Sequence, residues 1–314
     1  MKKYEKEQIT LGVELEIADI DTTIKIPEEL GKWDYDDYTI VNSSGIGNDP
    51  KKKMVRWGGE INTQPTYGAE KQIKIIENIF NLFDKKSLNY TCNLHIHASI
   101  DGLKEDLNLL KNITKYFFEY QFDIFKITED LQTPCMLDFS NIEEFNGAMK
   151  RYKRRKVSHQ YPLNEKQVKQ ALQAKTYDEF FNAFKKYTNY LKRKSWIYVK
   201  RPGINIFQID MMGTIEFRHF SMTFDLDLFY NCLKWVEEVF FASIQTQENP
   251  YDIFKRLGKP KFPSFLPYNH NLQKIFDLTH FGKLSRKEIK QNLLMLLKQK
   301  KISLEDIGYD ITKI

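Results

Sequence analysis

The stretch Ile9-Thr10-Leu11-Gly12-Val13-Glu14-Leu15-Glu16-Ile17-Ala18-Asp19 decides how the rest of this chain is read. Val13, Leu15 and Ile17 alternate with Gly12, Glu14 and Glu16, the period of two that marks a half-buried strand. One face is apolar and the other acidic. A second such stretch, Cys92-Asn93-Leu94-His95-Ile96-His97-Ala98-Ser99, puts Asn93, His95 and His97 on one face and Leu94, Ile96 and Ala98 on the other. A third, Thr214-Ile215-Glu216-Phe217-Arg218-His219-Phe220, projects Glu216 and Arg218 together, opposite Ile215 and Phe217. Each pattern alone also describes a solvated sheet face or a surface ion pair. Three in one chain point to a shared site.

If these strands join one antiparallel sheet, Glu14, Glu16, Glu216 and, from Gly59-Glu60-Ile61-Asn62-Thr63-Gln64-Pro65, Glu60 gather on its polar face. Clustered carboxylates repel, so a cation must compensate them or their protons must stay on. Oxygen ligands with an added imidazole suit Mg²⁺ or Mn²⁺ better than zinc, and Arg218 on the same face complements an anion such as phosphate. Carboxylates, divalent metal and arginine together suggest phosphoryl transfer from a nucleotide.

Around these strands, apolar periodicity predicts helices over 69–86, 104–129, 164–174, 177–193 and 225–246, then 285–300 and 303–308. Residues 196–209 and 213–220 read as strands joined by a hairpin turn at Met211-Met212-Gly213, and 250–267 as an irregular, proline-bearing tail. Residues 21–58 read as loops with short strands; Asp34, Asp36 and Asp37 are acidic candidates there. The chain has 314 residues, 48 Lys+Arg against 42 Asp+Glu, and 14% aromatic residues, a composition that folds.

The order Gly-Val-Glu-Leu-Glu, Gly-Gly-Glu, Asn-Leu-His-Ile-His, Arg-Pro-Gly-Ile-Asn and Ile-Glu-Phe-Arg-His-Phe, with Thr223 soon after, resembles the amidoligase family. That family belongs to the glutamine synthetase and glutamate-cysteine ligase superfamily of carboxylate-amine ligases. The resemblance spans roughly residues 10–245 and implies an α+β, glutamine synthetase-like fold: a curved antiparallel sheet with helices on its outer face and ATP-Mg²⁺ in the concave face. It implies that the γ-phosphate of ATP passes to a substrate carboxylate and that an amine then attacks the acyl phosphate. By the same likeness, Glu14, Glu16, Glu60, His95 and Glu216 are metal ligands. Arg218 stabilises the transferring phosphoryl group, with Glu216 and His95 also in catalytic roles, and Arg201, His97 and Asn205 join Arg218 in holding the nucleotide. The implied organisation is a catalytic domain over 1–248 with a basic helical insertion at about 142–195, and a helical extension over 249–314 packed on it.

The run Lys150-Arg151-Tyr152-Lys153-Arg154-Arg155-Lys156 holds six basic residues in seven and is a candidate surface for a polyanion or nucleic acid. Cys92, Cys135 and Cys232 are odd in number and widely spaced, which fits reduced thiols; with no apolar run of membrane-spanning length, the expectation is a cytoplasmic protein without a membrane partner. Cys92 points away from the histidines and reads as a buried structural thiol. Neither a Walker A loop nor a GxGxxG motif occurs. The identity of the carboxylate and amine substrates is not written in the sequence. Two other readings stay open: a metal-dependent phosphohydrolase or nuclease, and a non-enzymatic basic nucleic-acid-binding protein.

Overall fold

A computed structural model describes residues 3–18, 23–34, 58–84, 88, 92–128, 162–188, 195–198 and 202–263. In chain order the elements are β1 (Thr10–Ala18), β2 (Gly31–Asp34), β3 (Gly58–Thr63), β4 (Thr66–Tyr67), α1 (Ala69–Asn81), β5 (Asn93–Ser99), α2 (Leu107–Thr128), α3 (Glu165–Gln173) and α4 (Tyr177–Asn182). Then come β6 (Lys185–Thr188), β7 (Ser195–Tyr198), β8 (Ile204–Asn205), α5 (Gln208–Met212), β9 (Ile215–Ser221), α6 (Leu226–Phe241), a π turn over Ala242–Thr246, and α7 (Pro250–Arg256). The class is α+β. Seven strands form one open antiparallel sheet in the order β2-β3-β1-β5-β9-β8, with β4 paired to β1, and β6 and β7 make a separate hairpin.

The alternation of the sequence becomes the two faces of this sheet. Val13, Leu15 and Ile17 of β1, Ile61 of β3, Leu94 and Ile96 of β5, and Ile215 and Phe217 of β9 are all buried in the apolar core. Helices α1, α2 and α6 pack on the sheet. Phe117 of α2 meets Phe217 edge to face at 5.6 Å, and Phe80 of α1 does the same with Phe229 of α6 at 6.1 Å. Burial of this continuous layer is the main favourable term, as in any globular fold.

One irregularity matters to the site. Leu94 pairs with Phe220 but Ile96 with Phe217, so β9 carries one more residue than β5 between those pairs. The bulge lets Phe217 and Phe220 both reach the core despite their odd spacing, while Arg218 stays with Glu216. His219 falls on the helix side, its ring 5.3 Å from Phe125 and 4.2 Å from Phe220.

Several expected elements differ. The helix expected over 177–193 stops at Asn182, and Lys185-Lys186-Tyr187-Thr188 instead pairs with Ser195-Trp196-Ile197-Tyr198, so the insertion is mixed and not purely helical. The aromatic and β-branched residues of both segments suit a pleated hairpin better than a helix. The strand expected over 196–209 is broken: after β8 the chain turns into α5, and Gly213, at φ +76°, ends that helix where a hairpin turn was expected. Pro250–Arg256 is a helix, with the Asn249 side chain accepting from the Tyr251 N–H, proline in the first turn and Ile253 buried. The expected helices at 285–300 and 303–308, the basic run 150–156, Arg201, Asp36 and Asp37 lie outside the described residues. No helix among the described residues is long and apolar enough to cross a membrane. Cys92 is buried, as its strand parity predicts.

The outer helices are tied together by charge. Glu237 of α6 accepts from the Ala69 N–H at 3.2 Å, capping α1, whose own N-cap is Gly68 at φ +76°. The neighbouring Glu238 receives Lys6 at 2.7 Å and Arg256 at 3.1 Å, joining both ends of the described chain to α6. Burial pushes the Glu238 carboxyl up, but Lys6 and Arg256 outweigh it and hold it below its ordinary value. A depressed carboxylate contributes stability that is full above the unfolded value and lost as pH falls through the folded one. We therefore expect Glu238→Gln to lose about 1 kcal/mol at pH 7, Lys6 and Arg256 being partly solvated. In urea denaturation the gap from wild type should start to narrow as pH falls to about the ordinary glutamate value of 4.3 and close only below the depressed folded value.

Candidate functional site

On the face opposite the helices, antiparallel pairing arranges the polar side chains in rows. Glu14 of β1 lies between Asn62 of β3 and His95 of β5. The next row runs Gly12, His97, Glu216, Asn205 across β1, β5, β9 and β8. The third runs Glu60, Glu16 across β3 and β1, with Asn93 and Ser221 paired beyond it.

Glu14 is the centre of the first two rows. Its Oε2 lies 2.6 Å from His95 Nδ1, directly across the strand pair, and its Oε1 lies 3.0 Å from His97 Nε2, the diagonal neighbour. Gly12, directly opposite His97, contributes no side chain to that row. A carboxylate only accepts hydrogen bonds, so both facing ring nitrogens carry protons. His97 Nδ1 then faces the Thr214 hydroxyl at 2.8 Å. Burial pushes the Glu14 carboxyl up, but hydrogen bonds and charge from His95 and His97 outweigh it and hold it well below the ordinary carboxylate range.

Glu216 is satisfied by a different set of donors. Its Oε2 accepts from Asn205 Nδ2 at 2.7 Å and Gln208 Nε2 at 3.2 Å, and its Oε1 accepts from Arg218 Nη1 and lies 3.5 Å from His95 Nδ1. Burial pushes this carboxyl up, and the Arg218 charge, then His95 and His97, more than reverse it, so it too sits below the ordinary range. The Arg218 backbone N–H is also engaged, donating to the Gly203 carbonyl at 2.9 Å.

The sequence-predicted residues thus divide. Glu14, His95, His97, Glu216, Arg218 and Asn205 meet in one cluster. Glu16 and Glu60 share the polar face but sit a row away, paired with each other across β1 and β3, and Glu16 Oε2 accepts from the Asn93 N–H at 2.8 Å and its Nδ2 at 2.6 Å. Asp34 is placed opposite Glu60 in the strand pairing. Sequence reasoning missed Gln208 and Thr214. The sequence pattern places Gln208 inside a strand and Thr214 at the start of one; nothing local marks either, because both reach the site through α5 and the turn after it.

A metal ion would be held by Glu14, His97 and Glu216, whose ligand atoms all lie within 4.8 Å of one another. Two carboxylates and one imidazole are a donor set that fits a hard divalent cation. Comparison with family models, curated proteins and solved structures returns no match.

Removing the Glu216 carboxylate would strand the Arg218 guanidinium, only 14% exposed, without its carboxylate partner. Glu216→Ala should therefore destabilise by about 3–5 kcal/mol. Adding Arg218→Met should return part of that loss in urea denaturation, since it removes the uncompensated charge.

Proposed function

We propose that this chain is an ATP- and Mg²⁺-dependent carboxylate-amine ligase of glutamine synthetase-like fold. The observation that carries the reading is the convergence of Glu14, His97 and Glu216, with Arg218 at the edge of the same cluster, on the polar face of an antiparallel sheet. The order of sequence motifs supports it as well.

A divalent cation bound by these side chains would neutralise phosphate oxygens as charge shifts between them. The chain's own residues would do the rest. Arg218, held in place through Glu216, presents a fixed positive charge to a phosphoryl group, a preorganised arrangement that needs no rearrangement as the transfer proceeds. Asn205 and Gln208 fix the Glu216 carboxylate from its other side, so the arginine and the metal-ligating carboxylate keep one geometry. His95 holds Glu14 in reach of Glu216 by bridging the two carboxylates from β5. In the proposed reaction a substrate carboxylate oxygen attacks the γ-phosphorus and ADP leaves. The amine nitrogen then attacks the acyl carbon, inorganic phosphate leaves, and the amine gives up one proton.

The purified chain should bind ATP only with Mg²⁺ or Mn²⁺, and should release ADP and phosphate when a carboxylate and an amine are both supplied. Glu14→Ala and Arg218→Ala should each lower that turnover by about 100-fold or more. Metal-dependent cleavage of a phosphoester or polynucleotide without ATP would instead assign the same side chains to a phosphohydrolase or nuclease.

A further inference from the structure

Beside the cluster, the polar face has a gap in its own side chains. Gly12 stands directly opposite His97, in the row that also holds Glu216, and brings no side chain to it. A glycine inside a strand needs a reason, because it packs nothing on the pleated surface and loses more backbone entropy on folding than any other residue. Other glycines of this chain have their reasons in the fold. Gly68 and Gly213 take φ of +76°, and a Cβ on Gly31 would fall 2.4 Å from the Asn62 carbonyl oxygen. Gly12 has neither reason: its φ is not positive, and among the described residues a Cβ there would meet Pro65 alone, at an ordinary contact of 3.8 Å. The fold would accept alanine at this position.

Gly12 also lies where the polar face is open. Thr10, Gly12 and Glu14, alternate residues of β1 on that face, are each half-buried, whereas Glu16 beyond them is buried. The opening extends to β4, where Tyr67 is paired with Thr10 and is 51% exposed, with Lys71 Nζ 6.0 Å from its ring centroid. From Glu14 to Thr10 the strand runs about 13 Å. A path along it begins at the carboxylate of the metal-ligating cluster, crosses backbone without a side chain, and ends at an exposed aromatic ring beside a cation. An extended anion with a flat ring at its far end matches that path, and a nucleoside triphosphate is such a molecule.

We infer that Gly12 is a nucleotide-binding residue, its missing side chain leaving room for the triphosphate chain to lie over the β1 backbone with the base toward Tyr67. A Cβ would take up space that the phosphate oxygens need, and a branched side chain would take up more. The inference rests on the ATP-dependent reading of the cluster and deepens it, by giving the nucleotide a place and a direction.

Binding and stability measured together on the full chain test it, with the β,γ-imido analogue of ATP and Mg²⁺ as the probe. Gly12→Ala and Gly12→Val should bind the analogue about 10–100-fold more weakly than wild type, Val the more so. Both should unfold in urea at a midpoint equal to or above that of wild type, because the strand gains a side chain it has room for. Mn²⁺ alone should bind Gly12→Ala as it binds wild type. Tyr67→Ala should lose about 10-fold for the analogue and nothing for inorganic tripolyphosphate, which has no base to stack. Undiminished affinity for the analogue in a folded Gly12→Val overturns the inference and leaves the ligase reading standing. A lowered urea midpoint in Gly12→Ala, or a parallel loss of Mn²⁺, also overturns it, by assigning the glycine to the fold or to the metal ligands. Equal loss of analogue and tripolyphosphate in Tyr67→Ala, or no loss of either, overturns the direction given to the base. A wild type that binds no analogue with Mg²⁺ or Mn²⁺ overturns the ligase reading and this inference together.

Discussion

The Glu14 carboxylate, shared between the Nδ1–H of His95 and the Nε2–H of His97, is the contact around which the polar face is built. It joins β1 to two positions of β5, and it exists only in the register that sets Glu14 opposite His95. A slip of one residue would send Glu14 toward the helices and Val13 toward the polar face. The apolar face enforces the same register independently, because Val13 and Leu15 pair with Ile96 and Leu94, and all four are buried. Packing and polar chemistry therefore demand one alignment, the consistency between levels that a specific fold requires.

The two central carboxylates are balanced in different ways. Glu216 is only 1% exposed and is fixed by Arg218, Asn205 and Gln208, whereas Glu14 is 20% exposed and is met by imidazoles. An arginine stays charged at any physiological pH, so Glu216 has a permanent counter-ion. Imidazoles can exchange a hydrogen bond for a ligand bond. Glu216 is thus the anchored member of the pair and Glu14 the more open one. Glu16 and Glu60 are two buried acids on directly paired positions one row away, and Glu16 accepts from the backbone and side-chain N–H groups of Asn93.

What the sequence could reveal followed from strand parity. The period of two assigned Glu14, His95, His97, Glu216 and Arg218 to one face, and the structure sets all five there. Parity does not say which row a residue occupies: Glu14 and Glu16 share a face but stand two residues apart, about 7 Å along the strand. That is why Glu16 and Glu60 were expected among the ligands yet lie beside the cluster. The bulge in β9 is visible in hindsight, since Phe217 and Phe220 break the alternation. Gln208 and Thr214 had no such signal, because the short helix that carries one and ends just before the other was hidden in a run that reads as strand. The hairpin over Lys185–Thr188 and Ser195–Tyr198 was hidden likewise, its lysines resembling a continued amphipathic helix.

The proposed ligase chemistry requires a divalent-metal centre at Glu14, His97 and Glu216. Anomalous diffraction from crystals of the full chain grown with Mn²⁺ tests it most directly. A metal centre there gives a manganese peak about 2.0–2.3 Å from a carboxylate oxygen of Glu14, one of Glu216, and a ring nitrogen of His97. Well-ordered side chains in this cluster with no manganese between them, at a concentration that fills other sites, would contradict it.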